Sequence, residues 1–279
     1  MWNIGIMQGR LTEPKGRGIQ FFPFDNWREE FVTAKEIGLK EIEFIFDYDN
    51  YEENPLWQDE GKKVKEVLDE TGIHIKSVCF DYFMRRPFYK YCDLEKAKIL
   101  EENIRVINHI LKNMGRIGIS LIEIPLVDDS SLKSEQEARE FRDFLLQVVN
   151  SAPDNILFGL ETDLPPKQFK AYLDTFGQIR IGANYDSGNS SGIGYLPYEE
   201  VTTLKDYIFN VHIKDRVYHG TTVELGTGSA DFEELFRGLK EIGYVGSFIL
   251  QAARGDEGSE KDTICRQCQF LKKWITTLE

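Results

Sequence analysis

The feature that most restricts the fold is an alternation running the length of the chain. Short apolar or β-branched runs lie at residues 3–7, 41–46, 74–80, 120–126, 156–161, 180–185, 208–213 and 247–251. Between and after them come longer segments of roughly 3.6-residue periodicity, at 27–37, 58–71, 94–114, 134–150, 166–176, 198–205, 232–242 and 260–278. Strand followed by helix is the pattern of βαβ units, so the sheet is expected to be parallel. Gly38, Gly72, Gly115, Gly177 and Gly243 each follow a helical segment, where a residue able to take positive φ ends it. No polar or Pro/Gly/Ser-rich linker interrupts the series. The expectation is one α/β domain over residues 1–279, a closed (β/α)8 TIM barrel. An open dinucleotide-binding sheet would want GxGxxG after the first strand, which Gly5 and Gly9 do not supply.

Composition narrows the partners. With 34 Lys plus Arg against 47 Asp plus Glu, the net charge of -13 argues against a surface for nucleic acid. No stretch approaches the roughly 18 apolar residues of a membrane span, and residues 1–10 lack the basic-then-apolar order of a secretory signal. A cytoplasmic protein with no membrane partner is expected. Four cysteines in a chain this long make no disulfide framework, and Cys265 and Cys268 read as two thiols on one turn of a surface helix.

In such a barrel the active site forms at the carboxyl ends of the strands, because side chains fill the interior. The polar residues expected there are Glu43, Asp81, Glu123, Glu161, Asp186, His212 and Gln251. Glu161, Asp186, His212 and Gln251 end four successive strands and offer three oxygen ligands and one nitrogen. That set suits one divalent metal ion, whether Mn2+, Mg2+, Co2+ or Zn2+. Each alone has an ordinary alternative: Asp186 opens a turn with Ser187, Gly188 and Asn189, and a lone histidine is commonly an interior imidazole. Their convergence is what points to a metal.

Other positions are expected around the substrate: Glu43, Lys214 and Arg254, with Arg216 and the Arg85-Arg86 pair also just past strand ends, where a phosphate would be held. Phe21, Phe22, Phe24, Tyr82 and Phe83 are available to cover a ligand face. Gly226 and Gly228 make a weak anion-loop signal and more simply a turn into a helix capped by Asp231. His74, His109 and His219 have no partner spacing and read as structural or surface residues.

These residues resemble the sugar isomerases and epimerases of the xylose isomerase-like barrel superfamily, which includes ketose 3-epimerases and pentulose 5-phosphate 3-epimerases. The resemblance runs nearly end to end. It is carried by Leu160-Glu161-Thr162-Asp163, Tyr185-Asp186-Ser187-Gly188-Asn189, His212-Ile213-Lys214-Asp215 and Gly226-Thr227-Gly228-Ser229-Ala230-Asp231-Phe232, followed by residues 243–248. It implies that Glu161, Asp186 and His212 bind a metal, that Glu161 also moves protons, and that the partner is a small-molecule sugar or sugar phosphate. Barrels of this kind often associate, so a homo-oligomer stays open, although no surface stripe marks an interface.

The chain departs from the pattern at one place. The epimerases it resembles carry a second carboxylate at the end of the last strand, and here that residue is Gln251. A carboxamide can give oxygen to a metal or a hydrogen bond to an enediolate, but it has no usable pKa for proton transfer. The expectation is therefore a metal-dependent isomerase or epimerase acting on a ketose or ketose phosphate through α-proton abstraction. Dehydration of a keto-sugar on the same scaffold and non-catalytic sugar binding are the alternatives. The superfamily's apurinic endonucleases use several metals and many imidazoles, which four histidines and an acidic chain do not match.

Overall fold

The computed structural model describes residues 3–177 and 179–278. Eight parallel strands close on themselves: β1 (Ile4–Met7), β2 (Glu41–Ile45), β3 (Ser77–Cys79), β4 (Leu121–Leu126), β5 (Leu157–Thr162), β6 (Ile181–Asp186), β7 (Ile208–Ile213) and β8 (Phe248–Leu250). Each strand pairs with its neighbours in sequence, and β1 pairs with β8 to complete the ring. The expected closed barrel is what forms.

The principal helices are α1 (Trp27–Ile37), α2 (Lys62–Thr71), α3 (Asp93–Ile117), α4 (Glu135–Ser151), α5 (Pro166–Asp174), α6 (Pro197–Leu204), α7 (Phe232–Glu241) and α8 (Glu260–Ile275). Each turns an apolar stripe inward, as Phe31 and Ala34 of α1 and Leu235, Phe236 and Leu239 of α7 show. Strand residues facing outward, such as Val211 and Ile213, belong to the same continuous core. In α8, Cys268 is buried and Cys265 partly exposed, so the CxxC straddles the edge of the packed face. Among the described residues no helix is long and apolar enough to cross a membrane.

One helix end differs from expectation. Gly115 lies inside α3, where a Cβ would come within 3.1 Å of the Pro153 ring, and the helix continues to a left-handed Gly118 at φ 84°. Gly115 marks a close approach of helix and loop, whereas Gly118 is the stop. Gly38 and Gly72 end α1 and α2 in the left-handed conformation as expected.

Side chains alternate across a strand, so Asn210 and His212 of β7 share one face, as do Asn184 and Asp186 of β6. That face looks into the barrel. Asn210 Nδ2 donates to Glu43 Oε2 at 2.8 Å, and β2 and β7 are not neighbours, so the contact crosses the lumen. The lumen near the carboxyl ends of the strands is therefore polar, and each polar group must be partnered.

Candidate metal centre and substrate cavity

At the carboxyl ends of the strands a cavity of about 730 Å³ opens, lined among others by Gln20, Asp81, Glu123, Glu161, Lys214 and Gln251. Three of the four predicted ligands converge beside it, Glu161 lining the cavity and Asp186 and His212 buried next to Glu161. Glu161, Asp186 and His212 each present a ligand atom within 4.8 Å of the others, and all three are buried. His212 Nδ1 lies 3.4 Å from Glu161 Oε2 and 3.9 Å from Asp186 Oδ2. A divalent ion with bonds of about 2.1 Å holds its ligands about 3–4 Å apart, so these spacings fit one ion without rearrangement of the backbone.

Local structure aims each ligand. Asp186 sits at the end of β6 and caps the short helix Ser187–Ile193: its Oδ1 accepts from the backbone N–H of Gly188 at 2.8 Å and of Asn189 at 2.7 Å. The turn-opening role and the ligand role thus coexist, because one oxygen serves the turn and Oδ2 faces His212. Glu161 Oε2 accepts from Asn184 Nδ2 at 2.8 Å, and its Oε1 accepts from the Asn189 amide. His212 Nε2 lies 2.6 Å from Glu43 Oε1. With Glu43 accepting the Nε2 proton, Nδ1 faces the carboxylates, the usual way a supporting carboxylate orients a ligating imidazole.

Glu43 therefore does something other than expected. It is not at a strand end facing substrate but inside β2 with no exposed surface, its oxygens taken by His212, Ser77 Oγ and Asn210. Arg254 differs too. Its guanidinium donates to the carbonyls of Gly9 at 2.7 Å, Thr12 at 2.9 Å and Ile19 at 2.9 Å, clasping the loop after β1 instead of lining the cavity. The sequence shows that Arg254 lies beyond β8 but not that this loop folds back over it.

Gln251 and Lys214 meet. The Lys214 ammonium reaches Gln251 Oε1 at 3.3 Å, Asp186 Oδ2 at 3.4 Å and Asn189 Oδ1 at 3.0 Å. Its stem crosses Gly188 so closely that a Cβ there would stand 2.4 Å from Lys214 Cγ, which requires glycine. Gln251 is thus tied to the triad through Lys214, while its Nε2 donates to Gln20 Oε1 at 3.0 Å.

Charge is balanced unevenly across this site. Burial alone would raise the Glu161 carboxyl, but the hydrogen bond and charge of His212, with Lys214 and Asn184, hold it below the ordinary carboxylate range. Burial raises Asp186, with Lys214 opposing. Burial would lower His212, yet Glu43 and Glu161 push it well above the usual imidazole value. The ring is held toward its protonated form, so a cation arriving at Nδ1 would displace a proton.

The remaining expectations sort by position. Arg85 is exposed and lines the cavity, whereas Arg86 pairs with Glu102 at 2.6 Å. Arg216 lines the cavity, donating to Asn189 Oδ1 at 3.1 Å and to Gly220 O. Phe21, Phe22, Tyr82 and Phe83 are buried core residues, and Phe24 packs against them; none lines the cavity. The Gly226–Gly228 loop does meet an anion, but the chain's own: Asp215 Oδ2 accepts from Gly226 N and Gly228 N, both at 2.9 Å. Asp231 caps α7 through Glu234 N at 3.0 Å. His109 bonds the Trp57 carbonyl, and His219 stacks on Tyr218. Gln20, Asn184 and Asn189 are site residues that strand-end reasoning missed, since one arises from a loop, one from mid-strand and one from the short helix after β6.

Comparison with known proteins agrees with the fold. The chain is 24% identical over 264 residues to the L-ribulose-5-phosphate 3-epimerase of Shigella flexneri, covering 88% of this chain and 89% of that one. Its fold superposes on the D-allulose 3-epimerase of a Methylomonas species with a TM-score of 0.74 at 17% identity, covering 98% and 96% of the two chains. The IOLI protein with a bound zinc atom superposes with a TM-score of 0.73 at 17% identity, covering 99% and 97%. Residues 31–274 match the sequence profile of one family, and the chain belongs to it: the xylose isomerase-like TIM barrels.

Proposed function

We propose that this protein is a divalent-metal-dependent sugar isomerase or epimerase that removes the α-proton of a ketose or ketose phosphate to give an enediolate. The observation that carries the reading is the convergence of Glu161, Asp186 and His212, from three adjacent strands, with Glu161 lining an open cavity. Support also comes from relatives named as epimerases of a ketose phosphate and of a free ketose.

Glu161, Asp186 and His212 would hold the ion, with the Gln251 oxygen beside them. Bound there, a divalent cation supplies Lewis acidity toward a carbonyl and its neighbouring hydroxyl, which makes the adjacent C–H acidic. The protein's own groups do the rest. Glu161 is kept ionised by its neighbours and lines the cavity, so it is the carboxylate placed to take that proton. Lys214 and Asn189 steady the carboxylates around it, and Glu43 keeps the His212 ring from turning. Lys214, Arg216 and Arg85 are the cations available to substrate oxygens or to a phosphate.

The test is solvent exchange. Wild-type protein with added Mn2+ should wash the α-proton of at least one ketose or ketose phosphate into D2O, followed by NMR, and Glu161→Gln should lose this by about 100-fold or more. Near-normal exchange in that variant would remove Glu161 as the base. A protein stabilised by sugar and metal that exchanges no proton would be a binding protein instead.

A further inference from the structure

We propose that this cavity takes an unphosphorylated keto sugar and turns away the phosphate ester, through aspartates fixed on its rim. The inference rests on the reading above that the cavity holds a ketose beside the cation, and narrows that reading to one substrate class.

A site for a phosphate dianion needs cations or backbone N–H groups whose donors are free. This chain carries such groups, and its own oxygens occupy them. The Gly226–Gly228 loop closes on Asp215, whose Oδ2 accepts from Gly226 N and Gly228 N and whose Oδ1 accepts from Ala230 N at 3.0 Å. The short helix Ser187–Ile193 gives the N–H groups of Gly188 and Asn189 to Asp186 Oδ1. Arg86 is paired with Glu102, and Arg254 with three carbonyls of the loop after β1.

Among the described residues three cations line the cavity: Arg85, Lys214 and Arg216. Lys214 already directs its ammonium at Asp186, Asn189 and Gln251. Arg216 sets Nε and Nη2 on the Gly220 carbonyl at 3.2 and 2.9 Å and Nη1 on Asn189 Oδ1 at 3.1 Å. Arg85 remains, and its charge is shared with Asp47: burial raises that carboxyl while Arg85 lowers it.

Against these stand four aspartates on the loops after β2, β3 and β4. Asp47, Asp81 and Asp128 each lie two residues past the last residue of their strand, and Asp129 follows. Asp128 and Asp129 are exposed, and neither carboxylate has a hydrogen-bond or ion-pair partner among the described residues. The turn that carries them is pinned beneath by Ser130, whose buried Oγ donates to the Pro125 carbonyl at 2.8 Å and accepts from Val127 N at 3.1 Å. Sugar hydroxyls can donate to such carboxylates, whereas a phosphate dianion meets like charge in a cleft whose walls focus it. Glu161 does not enter this balance, because the bound cation would meet its charge.

The experiment uses the full chain with Mn2+ and matched pairs of sugars, each a free ketopentose or ketohexose and its terminal phosphate ester. It follows α-deuterium exchange in D2O by NMR and the melting temperature with each sugar. For exchange, kcat/KM should favour the free sugar by about tenfold or more. Raising the ionic strength from about 0.01 M to about 0.15 M should raise the ester's kcat/KM about threefold, as the rim's field is screened, and leave the free sugar's unchanged. The double variant Asp128→Asn, Asp129→Asn keeps the side-chain shape, and asparagine accepts the left-handed φ of 51° at residue 128. It should move the ratio of ester to free-sugar turnover about tenfold toward the ester. An ester turned over as well as its free sugar or better would overturn the inference and leave the proposed reaction standing. So would an ester rate that falls with salt, or a ratio unmoved in the double variant. No exchange from any sugar would sink the proposed reaction instead. The melting temperatures would then decide the inference alone: it holds if the free ketose stabilises the protein more than its ester does, and falls otherwise.

Discussion

The two sides of the cavity are built from different materials. On one side β5, β6 and β7 deliver Glu161, Asp186 and His212 directly from the sheet, and the supporting amides of Asn184 and Asn210 come from the same strands. On the other, Gln251, Gln20 and Asp81 come from a strand end and two loops and are linked by carboxamides. The loop carrying Gln20 is itself held by Arg254. Groups fixed by strand geometry can share an ion, which tolerates little displacement. Groups on loops can be re-sorted without disturbing the barrel. On the proposed reading, cation binding and reaction outcome would be set on separate parts of the scaffold, so each should fail separately.

The largest effect expected is on the strand side. In Asp186→Asn the side-chain oxygen can still cap the helix at Gly188 and Asn189, but the charge facing His212 is gone. Affinity for Mn2+, measured by isothermal titration, should fall by about 100-fold or more, above the range seen on losing a merely supporting group. The melting temperature of the apo protein should move little. A variant that bound Mn2+ as wild type does would break the claim that this side is the cation site.

Next in size is Gln251→Glu. The new carboxylate would accept from Lys214 but could no longer donate to Gln20 Oε1, loosening the tie to Asp81. Epimer yield relative to α-deuterium exchange should rise, by about tenfold on the best of a panel of free and phosphorylated ketoses followed by NMR in D2O. An unchanged product profile would show that the loop side does not set the outcome.

What could be read from the residues divides along the same line. Glu161, Asp186 and His212 were legible because the β/α alternation fixes where strands end, and a strand end fixes what faces the cavity. Gln251 was legible as a cavity residue, since the last strand is equally well marked. Arg254 was not, because its partners are backbone carbonyls of a loop whose path no periodicity encodes. Glu43 belonged to the right strand but the wrong level: two further residues of β2 follow it, which puts it beneath His212. Gln20 carries no sequence signal, since an amide on a loop becomes part of a site only through the partners it meets, and Asn189 stood in a quoted motif with no role of its own until the helix after β6 turned it toward Glu161. Asp215 stood in a quoted motif, yet that it fills the Gly226–Gly228 loop becomes visible only when the loop closes on it.

The smallest effect expected is in stability and probes how the loop side is anchored. Glu30 of α1 lies beneath the loop after β1, accepting from Gly9 N at 2.9 Å, Leu11 N at 3.0 Å and Thr12 Oγ1 at 3.0 Å. Burial raises its carboxyl to about 7 against those hydrogen bonds. An acid whose folded value exceeds its unfolded one binds a proton more readily when folded, so its stabilising share is complete below about pH 4.5 and is lost as pH rises toward 7. Glu30→Gln removes that titration but sets an NH2 group against the Gly9 N–H, costing about 1–3 kcal/mol for the unmet donor. The variant should therefore melt about 4 °C below wild type at pH 5, and the gap should narrow toward pH 8 as wild type ionises. A gap that widened with pH would mean that the ionised carboxylate is the favoured form, with Arg10 and Arg254 outweighing burial, and the loop side would then be held by charge much as the strand side is.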